Sequence, residues 1–257
     1  LWVTGSNYFG FLGLNQGHPA LNAVSSPTQI PGTTWSDVLQ CANQSIVANK
    51  TDGTFWTWGY NQNGQLGLNI EGGNPGNNSV SSPTQLPGTT WSTDVTKWGG
   101  SMNTRGTIKT DGTLWIWGAN PHGELGLNVQ NNGYSSPTQI GSGTDWKSVT
   151  GGKYYFMGAT KTDGTMWTWG RNDDDADLGL NDRTSRSSPT QVPGTTWDKV
   201  SGGVNCFFAT KTDGTLWAWG SQYKGGLGLN SNTSTGTSRF SSPVQVGTNT
   251  LWGTLVT

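Results

Sequence analysis

Three acidic side chains have the spacing that metal chemistry needs. Asp173, Asp175 and Asp177 alternate along one segment and could offer carboxylate oxygens to Ca²⁺. A calcium-binding loop, however, places Gly where this chain has Leu178 and a bidentate Glu where it has Thr184. The segment therefore fits a solvated acidic turn better than a calcium site, and we predict no metal or other cofactor for the protein.

Nucleophilic or zinc chemistry would need histidine together with partners. His18 and His122 are the only histidines, and each lies beside a proline in a loop or turn. A Ser-His-Asp triad or a zinc site requires further residues that converge on the histidine, and the sequence identifies none. We therefore predict surface histidines in a protein that is not an enzyme, with a lyase or hydrolase as the enzymatic alternative.

Paired tryptophans and recurring lysines are the other side chains with chemical potential, since indoles could stack sugars and lysines could form a basic ring. The pairs are Trp56 and Trp58, Trp115 and Trp117, Trp167 and Trp169, and Trp217 and Trp219, and the lysines are Lys50, Lys109, Lys161 and Lys211. Each pair sits at the centre of a predicted strand in every copy of a repeat, which favours packing in a core. The lysines are expected to be solvated or to lie along neighbouring tryptophan faces.

The element that positions these side chains is a ten-residue stretch at 109–118, which recurs at 50–59, 161–170 and 211–220 and in shortened form at 1–5. Its second half is almost continuously apolar, which is typical of a strand covered on both faces. The Asp-Gly pair before it predicts a two-residue hairpin turn in which both central residues take positive φ.

A second marker, Ser-Ser-Pro, gives the period of the repeat. Its prolines are Pro27, Pro83, Pro137, Pro189 and Pro243, spaced by 56, 54, 52 and 54 residues. Periods near 50 residues with four strands each are typical of propeller blades. Proline cannot donate to a strand ladder, so the last strand of each unit is predicted to be a sheet edge.

The sequence thus predicts an all-β fold, a β-propeller of four-stranded antiparallel blades with about five repeats and no helix longer than one turn. We treat residues 1–257 as a single propeller domain. Its units are 1–34, 35–90, 91–145, 146–196 and 197–250, with 251–257 beginning the next or closing blade. The opening strand of the third unit is predicted to span 91–95.

Charge and hydropathy exclude two classes of partner. The net charge is −1 and the pI is near 6.1, whereas nucleic-acid-binding domains usually carry a basic stripe or a high pI. No apolar run reaches the roughly 18 residues of a membrane-spanning helix. We therefore predict neither nucleic-acid binding nor a membrane span.

The repeat resembles a known family. Asp-Gly-Thr-Leu-Trp-x-Trp-Gly, then Asn-x-x-Gly-Gln-Leu-Gly, then Ser-Ser-Pro-x-Gln is similar to the regulator of chromosome condensation repeat, in particular to its bacterial and phage members. The resemblance implies a β-propeller, commonly of seven blades, in which both chain ends stitch one blade together. Four complete units and one partial unit imply either a five-bladed ring that closes imperfectly or part of a longer protein with up to seven blades, and we favour the longer protein.

Recognition is predicted at the connections between the Leu-Gly-Leu-Asn turn and Ser-Ser-Pro, because their lengths differ most and equivalent loops of a ring project from one side. The candidate binding residues are Gln16, His18, Glu71, Asn74, Asn77, Asn131, Tyr134, Arg183, Arg186, Asn232, Arg239 and Phe240. The predicted function is a non-enzymatic binding or structural module displayed outside a cell or on a virion. Its expected partners are a protein, a surface glycan, neighbouring copies, or cell-surface and virion proteins.

Two other functions follow from the resemblance alone. The family name implies a nucleotide-exchange factor for a small GTPase, but this chain has no basic tail and no long wedge-like insertion. A plant ultraviolet receptor shares the propeller, yet that receptor needs tryptophans clustered with arginines, and arginine is scarce here. Fold by itself decides neither case.

Overall fold

The computed structural model describes an all-β chain in which antiparallel sheets stand side by side. The described residues are 1–17, 19–42, 45–70, 79–173, 177–230 and 238–252. Within them lie four four-stranded sheets, here called the first to fourth blades, and one two-stranded sheet at the N-terminus. No helix in these ranges has the length and apolar character that crossing a membrane requires. The predicted fold class is confirmed.

The strands follow the chain in order within every sheet. The N-terminal sheet contains β1 (Trp2–Ser6) and β2 (Ala23–Gln29). The first blade contains β3 (Trp35–Ala42), β4 (Ser45–Lys50), β5 (Phe55–Gly59) and β6 (Val80–Gln85). The second contains β7 (Trp98–Gly100), β8 (Thr104–Ile108), β9 (Leu114–Gly118) and β10 (Tyr134–Gln139). The third contains β11 (Trp146–Gly152), β12 (Phe156–Lys161), β13 (Met166–Gly170) and β14 (Arg186–Val192). The fourth contains β15 (Trp197–Gly202), β16 (Cys206–Lys211), β17 (Leu216–Ser221) and β18 (Arg239–Gln245).

The two edges of each blade differ in their surroundings. The Ser-Ser-Pro strand lies at one edge of each blade, as its proline predicts. The opposite edge packs against the next blade, backbone to backbone. A Cβ added to Gly151 would lie 2.5 Å from the carbonyl carbon of Gly100, and one added to Gly202 would lie 2.5 Å from the carbonyl oxygen of Gly151. Glycine is therefore required where the opening strands meet.

The Asp-Gly hairpins differ from the predicted two-residue turn. In the first blade the N–H of Gly53 donates to the carbonyl of Lys50, and the N–H of Lys50 donates to Thr54. The loop therefore has three residues, and only Gly53 takes positive φ, at 79°. Asp52 accepts hydrogen bonds from the N–H and hydroxyl of Thr54, which holds a type I turn followed by a glycine bulge. The prediction of positive φ at the aspartate was wrong.

The second blade also opens differently from the predicted strand at 91–95. Trp91 makes only an isolated bridge to Lys109, a single 3-10 turn spans Val95–Lys97, and β7 begins at Trp98. Eighteen residues separate Trp91 from Lys109, against fifteen from Trp35 to Lys50, so the extra chain forms the turn. The added Trp98 is buried and stacks on Phe55 at a ring distance of 5.3 Å.

The second tryptophan of each pair joins its blade to the preceding sheet. These four indoles are fully buried, and each Nε1–H donates to a backbone carbonyl in the preceding sheet's turn. The pairs are Trp58 to Phe11 at 3.0 Å, Trp117 to Gln65 at 3.0 Å, Trp169 to Glu124 at 2.8 Å and Trp219 to Asp177 at 2.9 Å. We call each such indole a plug. A Cβ on Gly67 would lie 2.8 Å from Nε1 of Trp117, so the Leu-Gly-Leu turn has glycine where the plug arrives.

The first tryptophan of each pair is half-buried. A lysine lies between its ring and that of the tryptophan near the start of the same blade, and we call this arrangement a lysine clamp. Lys109 Nζ lies 4.5 Å from the ring of Trp91 and 4.0 Å from the ring of Trp115. Lys50, Lys161 and Lys211 lie between equivalent indoles. The prediction that these lysines follow tryptophan faces is confirmed, and the ammonium groups gain cation–π attraction there.

The asparagine that ends each Leu-Gly-Leu-Asn turn makes a further contact between blades. Asn69 takes the left-handed conformation, with φ 55°, which asparagine tolerates better than most residues. Its N–H then donates to Ser135 of the next blade at 2.8 Å. Asn15, Asn128 and Asn181 make the equivalent bonds. The Leu-Gly-Leu-Asn turn therefore reverses the chain and also forms a hydrogen bond to the next blade.

Replacing a plug should destabilise the protein more than replacing its partner indole. We expect Trp117→Phe to lower the free energy of unfolding by about 2–3 kcal/mol, because it removes buried volume and leaves the Gln65 carbonyl without its donor. Trp115→Phe is the matched control and should cost less than half as much, since that indole is only half-buried. Urea unfolding followed by circular dichroism measures both. Equal losses would contradict the plug's assigned role.

Candidate functional site

The connections of each blade divide between two ends of the sheets. The three-residue Asp-Gly hairpins lie at one end. The opposite end, here called the loop face, carries the connections from first to second strand and from third to fourth strand. On the second blade these connections span 101–103 and 119–133. The connections between third and fourth strands, whose lengths vary, therefore lie at the same end of the sheets as the short loops between first and second strands.

The predicted binding residues have different surroundings on this face. Gln16, Asn131 and Arg183 are exposed loop residues. Tyr134 is the first residue of β10 and packs against the core between the second and third blades. Phe240 lies in β18 and packs against the core around Trp219.

Arg186 and Arg239 begin outer strands rather than lying within loops. Arg186 forms an ion pair with Asp182 and donates to the carbonyl of Thr184 at 2.6 Å. Its guanidinium therefore holds its own loop in shape. Arg239 begins β18 and is half-buried. His18, Glu71, Asn74, Asn77 and Asn232 lie outside the described residues.

The alternating aspartates have separate surroundings. Asp173 is exposed and accepts an ion-paired hydrogen bond from Nε of Arg171 at 2.7 Å. Asp177 is buried, and its backbone carbonyl receives the plug Trp219. Asp175 lies outside the described residues. Across the described ranges, no group of three or more His, Cys, Asp or Glu side chains is placed to hold a metal.

A pocket of about 300 Å³ opens on the loop face where three blades meet. The first blade contributes Asn63, and the second contributes Asn103, Ala119 and Asn131. Tyr155 of the third blade forms another wall. Asparagine amides and one phenol supply the polar part of the lining, and Ala119, Pro121 and Gly133 supply apolar surface, so the pocket can form hydrogen bonds without carrying a charge.

A second pocket, of about 360 Å³, lies at the ends of the opening strands of the second, third and fourth blades. Its lining is mostly backbone of the Gly-Gly turns, together with Ser101, Met102 and Lys153. The N–H of Lys153 donates to the carbonyl of Gly203 at 3.0 Å, which ties two blades together at this point. Lys153 itself is exposed and gives this part of the face a positive charge.

Glu124 is the most perturbed titratable group near the first pocket. Its side chain is fully buried, and Oε2 accepts the N–H of His122 at 2.8 Å, while Oε1 has no hydrogen-bond partner among the described residues. Burial raises the pKa of this carboxyl from 4.5 to about 7. The first blade has Gln65 at the same position, where Oε1 accepts the N–H of Asn63. Glu124 therefore accepts the backbone hydrogen bond that the side-chain amide of Gln65 accepts in the first blade.

His122 lies beside this carboxyl at the rim of the loop face. Burial and the nearby Arg171 lower its pKa, and Asp173 opposes that shift. Its ring lies 5.2 Å from the ring of Tyr155. The imidazole is thus an aromatic neighbour of the pocket wall.

Sequence reasoning missed the residues that shape the first pocket. Asn63, Asn103 and Tyr155 were not among the candidate binding residues, although the turn that contains Asn63 is part of the repeat motif, and Ala119 has no functional group at all. A signal was nevertheless present in the repeats, because the residue after Trp-x-Trp-Gly changes from Tyr60 to Ala119 between neighbouring blades. A bulky residue replaced by a small one at an equivalent position indicates a cavity.

Comparison with known families finds one match. Residues 52–97, 111–158 and 163–209 match the regulator of chromosome condensation (RCC1) repeat, which together is more than half of the chain.

Curated relatives share part of the sequence. The probable E3 ubiquitin-protein ligase HERC3 of Homo sapiens is 35% identical over 88 residues, 33% of this chain and 8% of that protein. The X-linked retinitis pigmentosa GTPase regulator of Homo sapiens is 28% identical over 149 residues, 57% of this chain and 14% of that protein. The ultraviolet-B receptor UVR8 of Arabidopsis thaliana is 33% identical over 97 residues, 37% of this chain and 21% of that protein. The matches thus span less than a quarter of the length of these relatives.

Solved structures share the fold over nearly the whole chain. Human WBSCR16 superposes with a TM-score of 0.74 at 19% identity, over 96% of this chain and 62% of that one. Prp20p from Saccharomyces cerevisiae superposes with a TM-score of 0.74 at 17% identity, over 96% of this chain and 58% of that one. At these identities the likeness concerns the fold alone.

Glu124→Gln should change how stability depends on pH. A carboxyl with a raised folded-state pKa stabilises the protein fully below about pH 4.5, and that contribution is lost as the pH rises through 7. The Glu124→Gln variant has no carboxyl at this position, so its stability does not fall for this reason as the pH rises. We expect similar stability near pH 5, and at about pH 8 a variant more stable by on the order of 2–3 kcal/mol.

Urea unfolding of both proteins at the two pH values measures the difference. Asp37→Asn, which changes an exposed carboxyl, is the control and should leave the wild-type pH dependence in place. A Glu124→Gln protein that loses as much stability as wild type between the two pH values would refute the assignment.

Proposed function

The chain belongs to the regulator of chromosome condensation repeat family, and from that premise we propose that it is a non-enzymatic binding module whose loop face recognises a protein or a glycan. One observation carries this proposal, namely that the loops of three blades converge on polar pockets at that face. The repeated residues are occupied by contacts between blades, which leaves the loop side chains to engage a ligand.

The charge of the face supports a ligand recognised mainly by hydrogen bonds. The first pocket is lined by amides, a phenol, alanine, proline and glycine, and the second by glycine backbone, a serine, a methionine and one lysine. Arg171 and Arg186 are held in ion pairs with neighbouring aspartates. Display on a cell surface or virion is part of the proposal, supported by the low charge of the chain. The resemblance to bacterial and phage repeats stands beside it as a hypothesis.

The alternative is a nucleotide-exchange type of regulator acting on a small GTPase. The description of the Prp20p structure names binding to Gsp1p and histones, and one curated relative is named a GTPase regulator. No residue of this chain is assigned to exchange on that basis, because the structural likeness at 17% identity concerns the fold. The experiment below separates the two functions.

Replacing two exposed cationic side chains of the loop face by glutamate should weaken ligand binding, because it changes both the contacts and the charge that a ligand on this face meets. The immobilised protein is screened against a glycan array and a displayed peptide library, and every selected ligand is retested on Lys153→Glu with Arg183→Glu. Both side chains are exposed on the loop face. The matched control is Thr51→Glu with Thr162→Glu, two exposed positions at the hairpin end. We expect at least about tenfold weaker binding for the loop-face variant only.

Two results would overturn the proposal. The first is a set of ligands that the hairpin-end variant weakens as much as the loop-face variant does. The second is accelerated nucleotide release from members of a small-GTPase panel at catalytic concentrations of the protein, which would favour the exchange function.

A further inference from the structure

The position after Trp-x-Trp-Gly is filled differently in each blade. In the first blade Tyr60 packs its ring against Phe9, in the connection between β1 and β2, with centroids 4.7 Å apart. In the third blade Arg171 extends to Asp173 and pairs with it at 2.7 Å. In the second blade Ala119 offers only a methyl group, and the space beside it is the pocket of about 300 Å³. The pocket therefore exists because a large side chain is absent at this position.

The walls of this pocket come from three successive blades and carry no charge. Asn63, Asn103 and Asn131 surround it with amides, and Tyr155 closes it on the side of the third blade. Asn131 is exposed and sits in the variable connection. Each amide can both donate and accept a hydrogen bond. A neutral ligand with several hydroxyl or amide groups matches this lining better than an anion or a cation.

Two of the wall residues have left-handed backbone conformations, which asparagine tolerates but which strain an aromatic residue. Tyr155 and Asn131 take φ values of 67° and 66°, in the left-handed region. The carbonyl of Tyr155 accepts the N–H of Arg171, just as the carbonyl of Asn103 accepts that of Ala119 in the blade before. Asn103 and Asn205, the described counterparts of Tyr155, do not share its positive φ. An aromatic residue in this region is uncommon, and such strain is concentrated at ligand sites.

We infer that the pocket beside Ala119 binds one neutral saccharide unit of a glycan, an inference that rests on the proposed function of the loop face. The amides of Asn63 and Asn131 provide the paired donors and acceptors that vicinal hydroxyls or an acetamido group require. Tyr155 supplies the apolar surface on which the C–H side of a pyranose ring packs. The volume lies at the lower end of the range for small-molecule pockets, which limits the occupant to a single unit or a short end.

Filling the pocket with a side chain that the fold already accommodates gives the sharpest test. Ala119→Tyr introduces the residue that the first blade carries at the same position. Ser221→Tyr makes the same change at the equivalent site of the fourth blade and is the matched control. Asn131→Ala removes one exposed amide without filling the space. Thermal melting of each variant establishes that the fold is retained.

Binding is measured by saturation-transfer NMR and calorimetry with galactose, mannose, N-acetylglucosamine, N-acetylgalactosamine and their β-linked disaccharides. We expect wild type and Ser221→Tyr to bind at least one of these sugars with the same affinity. Ala119→Tyr should bind it at least about tenfold more weakly, and Asn131→Ala should weaken it severalfold.

Equal sugar binding by wild type and Ala119→Tyr would overturn the inference. So would the absence of binding for every sugar together with peptide ligands that depend on Lys153 and Arg183, a result that leaves the loop face as a protein-binding surface. Ligands whose binding is unchanged by Ala119→Tyr, by Asn131→Ala and by the charge-reversal variant of Lys153 and Arg183 alike would instead remove the proposed function itself, so the two failures are distinguishable.

Discussion

The hydrogen bond from a buried indole to the backbone of the preceding sheet is the interaction on which this fold depends. Trp58, Trp117, Trp169 and Trp219 each carry a donor that would be unsatisfied in a dry interface unless a carbonyl met it. The Leu-Gly-Leu turn supplies that carbonyl and, through its glycine, the room for the ring. No blade completes its own core, so stability arises between neighbours, as in other repeat proteins.

This constraint divides the residues of each repeat into two groups. The buried indoles, the glycines and the turn asparagines recur because each serves a contact between blades, and altering one affects two blades at once. The clamp lysines recur because each lies between two indoles of its own blade. The remaining positions of the loop face are free to differ, which is why Tyr60, Ala119, Arg171 and Ser221 can occupy equivalent sites. A protein built this way can vary its loop side chains while the contacts between blades stay the same.

The repeat period, the edge proline and the buried tryptophans can be predicted from the sequence, because each depends on a short motif that recurs along the chain. The different roles of the two tryptophans in a Trp-x-Trp pair cannot be predicted in this way. Residues two apart lie on the same face of a strand, and only the neighbouring sheet distinguishes the plug from the clamp indole. The turn at Asp52 was mispredicted because its side chain bonds to Thr54 and keeps the aspartate out of the left-handed region. The pocket beside Ala119 joins residues of three blades, including Asn63 and Tyr155, and no linear pattern records that meeting.

Hydrogen exchange of the indole N–H groups tests the plug contact most directly. Protein carrying isotope-labelled tryptophan is transferred to deuterated buffer, and the indole signals are assigned with single Trp→Phe variants. We expect slow exchange for Trp58, Trp117, Trp169 and Trp219, because exchange of their N–H groups requires an opening that exposes the interface between blades. Trp56, Trp115, Trp167 and Trp217 should exchange much faster, because they are half-buried and bond only to a neighbouring threonine. Equal rates for the two sets would contradict the claim that indole plugs hold the blades together.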